Sequence, residues 1–361
     1  MSNPLHLPDL TIKGFRGIDQ LTIPRLGRVT LLAGKNGVGK TTVLEAVHVF
    51  AARGRFSALS DLLSSRGEVH VGSDDNGDGT SELDALALFH RRVSEDTTIL
   101  IGREYLPEQL RIEMTSLAKV RSTLLNLADP VPGLSVSFRG KTQVRWFIPS
   151  GGLNEFSRSL RLPDNDEPEP RLTCEYLGPD VLREGELARF WDKVALTDAE
   201  QRAVSSLQLV AGSTVTGVAL VGDGRPNGGG RRTVVRLTGY DRPVPLKSLG
   251  DGAVRLFGIA LAIANSRGGI LLIDEAENGI HHTVQYDLWK MILQTAQSND
   301  VQVLATTHSW DCVRGFAYAA AEFEDGEGML VRLDRDDRGL RAVEYSKEGL
   351  RTAAEQGIEV R

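Results

Sequence analysis

Residues Gly34-Lys35-Asn36-Gly37-Val38-Gly39-Lys40-Thr41-Thr42 satisfy GxxxxGK[ST] at every fixed position, and their flanks narrow the fold further. Arg28 to Ala33 reads as a short buried strand, and Val43, Leu44, Val47 and Phe50 recur at helical spacing directly afterwards. Strand, glycine loop, helix is the arrangement that aims backbone N–H groups and a helix N-terminus at a polyphosphate. Gly34, Gly37 and Gly39 let the backbone curl without a Cβ clash. Lys40 supplies a mobile point charge for the outer phosphates, and the Thr41 hydroxyl is suited to ligate Mg²⁺. The stretch therefore implies an α/β fold holding a nucleoside triphosphate.

Three further elements carry chemistry. Gly269 to Ile273 is an apolar run that reads as a strand buried on both faces, ending in Asp274-Glu275. Beside a nucleotide, Asp274 would hold Mg²⁺ through water and Glu275 would take a proton from the attacking water. A third buried strand, Val301 to Thr306, ends in Thr307-His308, and position alone leaves His308 between a structural role and a phosphate-facing one. Ser248-Leu-Gly250-Asp-Gly252 precedes a helix with Val254, Phe257 and Leu261 on one face; a plain N-cap and a second anion-binding helix end both fit it. His281-His282 follows the carboxylates without a Cys or further His at metal spacing, so no metal site is expected there.

Composition excludes several classes. The net charge of −6 argues against a chain that coats nucleic acid or membrane through its overall field, though a local basic groove stays open. Cys174 and Cys312 are too few for a disulfide framework or a cysteine-rich metal site. Residues 1–8 lack a basic leader and an apolar core, and the longest apolar run, Phe257 to Ala264, is far short of the ~20 residues that span a bilayer. A cytoplasmic protein without membrane association is expected.

Along the chain, Leu10, Ile12, Leu21 and Ile23 alternate around Gly14-Phe15-Arg16-Gly17 and read as a hairpin. Gly72 to Thr80 begins like a calcium loop but has Ala85 at its twelfth position, where a bidentate Glu is required, and reads as a surface loop. Leu83 to Leu177 reads mostly as strands with one helix near Pro107 to Asn126. Glu186 to Leu209 reads as a helix, followed by strands at Val215 to Val221 and Thr233 to Leu237 with a glycine-rich tip between them. A hairpin (Met329 to Leu333, Arg341 to Tyr345) and a helix capped by Ser346 close the pattern.

Taken together, these elements resemble the ABC-type ATPase heads of the RecF, SMC and OLD families, most nearly the small bacterial AAA-family ATP-binding proteins related to OLD nucleases, many of them in antiphage defence. The resemblance rests on Phe15-Arg16, the Asn36-Gly37 form of Walker A, Ser-Leu-Gly-Asp-Gly as signature, Asp-Glu-Ala-Glu-Asn-Gly-Ile-His-His around Walker B, Thr-His-Ser as switch, and the closing residues 357–361. It implies that Lys40 and Thr41 meet phosphate and Mg²⁺, with Lys35, Val38 and Thr42 completing the loop. It further implies that Asp274 is the Walker B aspartate, Glu275 the catalytic carboxylate and His308 the switch histidine, with Arg16 near the nucleotide. Ser248 and Gly250 would contact ATP held by a second protomer. Ser248-Leu-Gly-Asp-Gly departs from LSGGQ, His282 replaces the group's usual Pro, and no Q-loop glutamine can be placed. The strand-rich gap of about 200 residues between Walker A and signature has no heptads for an SMC arm. With only a short tail after His308, no TOPRIM domain of the OLD nuclease kind is expected.

The expected fold is thus an α/β, ABC-type P-loop ATPase head with a mixed, strand-rich insertion lobe: core at 1–54, lobe at 55–245, core again at 246–361. The expected function is Mg²⁺-ATP binding and hydrolysis in an ATP-sandwiched homodimer or higher homo-oligomer, regulating a separate, nuclease-like effector in antiphage defence. A RecF-like DNA-binding repair ATPase is the alternative, for which Arg91-Arg92 and Arg231-Arg232 are the only basic pairs on offer. A transporter subunit is disfavoured by the departed signature.

Overall fold

Strands buried on both faces organise the computed structural model, which describes residues 4–73, 79–92, 98–103, 108–116, 132–146, 170–222, 230–324, 327–337 and 339–357. A six-stranded sheet runs in the order Cys174–Leu177, Ile270–Ile273, Gln302–Thr307, Val29–Ala33, Gly328–Asp336, Gly339–Tyr345. Its neighbours pair in parallel up to the last strand, which returns antiparallel as a hairpin. Every residue of Ile270–Ile273 and Gln302–Thr307 is buried. Alternate side chains therefore feed two cores. Leu31, Leu271, Ile273, Val303 and Ala305 face one side, and Leu32, Ile270, Leu272 and Leu304 the other.

The second side is closed by an antiparallel sheet, ordered Ile18–Ile23, Leu10–Phe15, Thr98–Gly102, Leu110–Ser116, Pro132–Phe138, Lys141–Trp146. The phosphate-loop helix, Lys40–Ala51, lies between the two sheets: nine of its 12 residues are buried, more than a one-sided amphipathic helix would hide. Helices Glu184–Val194, Asp251–Asn265, Gln285–Ser298, Trp310–Ala320 and Lys347–Gln356 cover the first side. A small sheet of Val215–Gly222, Arg231–Leu237 and Val244–Pro245 contributes Val215, Val235 and Leu237 to that same core. Strands from 55–245 thus share sheets with the flanking segments: Thr98–Gly102 pairs with the N-terminal hairpin, and Cys174–Leu177 with Ile270–Ile273.

Two local expectations are corrected. The helix near Pro107 to Asn126 is, over its described part, the strand Leu110–Ser116, because Leu110 and Ile112 are fully buried alternately against Thr98–Gly102 and Pro132–Phe138. The single helix over Glu186 to Leu209 is broken. Leu196 adopts a left-handed φ of 63° and Thr197 caps a new helix, Asp198–Ser206, by accepting from the Ala199 N–H. The hairpin at 10–23 and the closing hairpin and Ser346-capped helix form as expected. Most of the acidic loop and glycine-rich tip, the rest of the 107–126 segment and residues 358–361 lie outside the described residues.

Candidate active site

The carboxyl ends of Val29–Ala33, Gln302–Thr307 and Ile270–Ile273 are in register side by side (Ala33 opposite Thr307, Ala305 opposite Ile273), which brings the three motifs to one sheet edge. Crevices outside the carboxyl ends of parallel strands are where α/β sheets bind ligands. Gly34 leaves the first strand at φ 149°, and a Cβ there would meet Leu333 O at 2.6 Å, so only glycine lets the loop pass the neighbouring strand. Lys35, Asn36 and Gly37 are exposed while Val38 is buried beneath them. Helix Lys40–Ala51 starts at Gly39 with no side-chain cap and no acidic residue in its first turn. Its leading N–H groups are left for an anion.

Lys40 is buried, and its ammonium donates to Gly34 O at 2.7 Å and Lys35 O at 3.1 Å. Burial lowers its pKa, opposed by the charges of Glu277, Asp274 and Glu275. Thr41 Oγ1 donates to Asp274 Oδ2 at 2.8 Å. The other Asp274 oxygen accepts from Thr306 Oγ1 at 2.5 Å, and Thr306 Oγ1 in turn accepts from the Glu275 N–H at 2.8 Å. Tyr176 OH lies 3.5 Å from Asp274 Oδ2, and burial pushes that phenol well above its usual pKa, keeping it a neutral donor. Thr41 and Asp274 therefore offer adjacent hard oxygen donors on a rigid frame, the ligand chemistry that fits Mg²⁺.

Glu275 holds a left-handed φ of 48°, uncommon for a non-glycine residue. Asn278 Nδ2 donates to its Oε2 at 2.7 Å, and His308 Nδ1 lies 3.6 Å from its Oε1. His308 is organised by a residue the sequence reading gave no role. Glu277 Oε1 accepts from Thr307 Oγ1 at 2.7 Å, His308 N–H at 3.0 Å and Ser309 N–H at 3.2 Å, and sits 3.4 Å from His308 Nδ1. Arg255 was missed too, although it is a lone charge within the apolar run Ala253 to Ala264.

The remaining site residues make no hydrogen bond to Lys40, Thr41 or Asp274 among the described residues. Arg16, at a left-handed φ of 51°, borders a cleft of about 470 Å³ shared with Thr42, Arg66 and Phe89. Its guanidinium is held by Glu68 at 2.9 and 3.1 Å and by Glu45 at 3.3 Å. Ser248 and Gly250 stand exposed before helix Asp251–Asn265 and, among the described residues, form no hydrogen bond to the phosphate loop, Asp274 or Glu275. Gly252 packs on the loop after the carboxylates, where an added Cβ would meet Gly279 O at 2.5 Å.

A strand–glycine loop–helix beside a strand ending in paired carboxylates defines the class of phosphate-loop ATPases. The sequence matches AAA-type ATPase domains on both sides of its middle. Two family profiles match it: "AAA domain, putative AbiEii toxin, Type IV TA system" over residues 176–311, and "AAA domain" over residues 9–110. It is 34% identical over 115 residues to the uncharacterized protein MJECL11 of Methanocaldococcus jannaschii, covering 31% of this chain and 99% of that one. To the OLD nuclease of Thermus scotoductus it is 23% identical over 95% of its own length, spanning 64% of that protein. Among solved structures, the Smc head domain of Pyrococcus furiosus bound to the C-terminal domain of ScpA aligns with a TM-score of 0.49 at 12% identity, covering 98% of this chain and 99% of that one. No helix among the described residues is long and apolar enough to cross a membrane.

Proposed function

We propose that this protein binds and hydrolyses ATP, that two copies close around the nucleotides, and that closure regulates or recruits a separate nuclease-like effector in antiphage defence. The observation that carries the reading is the convergence of Lys40, Thr41, Asp274, Glu275 and His308 at one sheet edge. Lys40 exchanges its two loop carbonyls for the outer phosphates, and the uncapped helix start donates N–H groups to them. Thr41 and Asp274 would hold Mg²⁺, which supplies charge neutralisation on the phosphates. Glu275, aimed by Asn278, accepts the proton of the attacking water, and His308 stands beside it. Ser248 and Gly250 are exposed, which supports their contacting the nucleotide of a second copy.

A DNA clamp draws less support. Arg92 is engaged by Asp84 and Glu68, and Arg231 by Asp192 at 2.7 Å, so the basic pairs are partly neutralised.

The test pairs Glu275→Gln with Ser248→Arg, with molar mass followed by light scattering with and without ATP. Glu275→Gln keeps the shape and loses the proton acceptor. Hydrolysis is expected to fall by roughly 10²-fold or more while an ATP-dependent dimer accumulates. Ser248→Arg places a bulky cation at the surface meant for the partner's phosphate, so it is expected to bind ATP without closing. An ATP-independent mass in the first variant, or an ATP-dependent dimer in the second, removes the sandwich mechanism.

A further inference from the structure

The helix that begins after Ser248 and Gly250 carries one buried charge. Arg255 is 1% exposed, on the second turn of Asp251–Asn265, and among the described residues it forms no ion pair. Its guanidinium is instead divided between carbonyls at two strand ends. One terminal nitrogen donates to Gly178 O at 2.6 Å and Asp180 O at 3.3 Å, just past Cys174–Leu177. The other donates to Asp274 O at 2.6 Å and Glu275 O at 3.1 Å, just past Ile270–Ile273. The third nitrogen, Nε, is buried without a partner. A cation buried at such cost among carbonyls is not a stabilising ion pair, because well-packed apolar residues serve stability as well or better.

What the arginine does hold is the backbone of Glu275. That residue sits at φ 48°, a conformation that persists only where its surroundings over-determine it. Thr306 fixes its N–H side and Arg255 its C=O side. We infer that Arg255 is the positioning residue for the hydrolytic carboxylate, clamping the left-handed turn that aims Glu275 and binding it rigidly to the helix that starts at Gly250. It acts through the backbone carbonyls of Asp274 and Glu275 that it holds, and makes no hydrogen bond to the Glu275 carboxylate itself. The inference rests on Glu275 being the proton acceptor, as proposed above. A planar fork is required, since two nitrogens must serve two strand ends at once, and a lysine's single ammonium keeps the charge while losing that span.

The experiment is a double-mutant cycle on turnover of the full chain, with ATP affinity measured by calorimetry. Arg255→Lys is expected to bind ATP within about threefold of the parent. Its kcat is expected to fall by about 10- to 10²-fold, the scale set by a misplacement of the order of 1 Å at a reacting group. Placed in Glu275→Gln, the same substitution is expected to change the residual rate by less than about twofold, since the group it aims is gone. Arg255→Gln, neutral and therefore free of an unpaired buried charge, is the second variant and is expected to behave alike. Parental turnover in either variant overturns the inference. So does an equal loss in both backgrounds, which marks a merely structural role, or failure of both variants to fold. Parental hydrolysis by Glu275→Gln alone would instead sink the assignment of the base.

Discussion

Lys40 shows how one side chain is kept ready. Its ammonium is buried, partly neutralised by three nearby carboxylates and tethered to two carbonyls of its own loop. On the function proposed, an incoming phosphate would replace those carbonyl contacts with stronger, charge-assisted ones. Lys40→Ala is expected to weaken ATP binding by roughly 10²-fold or more, the loss of about two hydrogen bonds to charged groups, as measured by calorimetry. The fold should survive, because the apolar residues of the helix are untouched. At this scale the sequence is legible where chemistry dictates spacing: Gly34, Lys40 and Thr41 must follow one another for a loop to wrap a phosphate. It is illegible where contacts join distant segments. Nothing local announces that Glu277 gathers Thr307, His308 and Ser309, or that Arg255 reaches Gly178 and Glu275.

Between elements, the helix Asp251–Asn265 is tied to the carboxylate loop twice, by Arg255 and by the contact of Gly252 with Gly279. The second tie has no room for a side chain. Gly252→Ala is expected to destabilise the protein by about 1–3 kcal/mol, since a Cβ 2.5 Å from Gly279 O forces the helix off the loop. Denaturant melts that coincide with the parent would show that the loop yields freely. Buried strands such as Ile270–Ile273 were readable from their apolar runs. The Leu110–Ser116 segment misled because its alternation is confined to Leu110, Ile112 and Met114, too few positions to outweigh a helical reading of the longer window. Leu196 misled because its left-handed turn and the Thr197 cap break the helix without interrupting the apolar spacing, so periodicity reads straight through them.

Across the whole molecule, exposed charges outside the motifs are expected to be quiet. Arg231 lies on an exposed strand and spends its charge on Asp192, itself exposed. Such a pair is worth about 1 kcal/mol or less. Arg231→Ala with Arg232→Ala is expected to leave ATPase turnover within about twofold; a large loss in a steady-state assay would mean that this sheet reaches the nucleotide or a dimer face. The α/β architecture and the gathering of the three motif strands in one sheet were legible because each motif names its own strand. The way segments 98–146 join the N-terminal hairpin in one sheet was not, since pairing partners leave no mark on either strand alone.

The strand feeding the phosphate loop lies between Gln302–Thr307 and Gly328–Asp336, and Gly34 rests against Leu333. On the ribosome, both neighbours of that strand are made only after some 270 residues beyond it have emerged. The nascent chain must therefore carry this loop unassembled until those residues arrive. Such sequence-distant pairing folds slowly and leaves apolar strands waiting for partners. A nucleotide can meet this loop in its finished form only after Gln302–Thr307 and Gly328–Asp336 have both emerged.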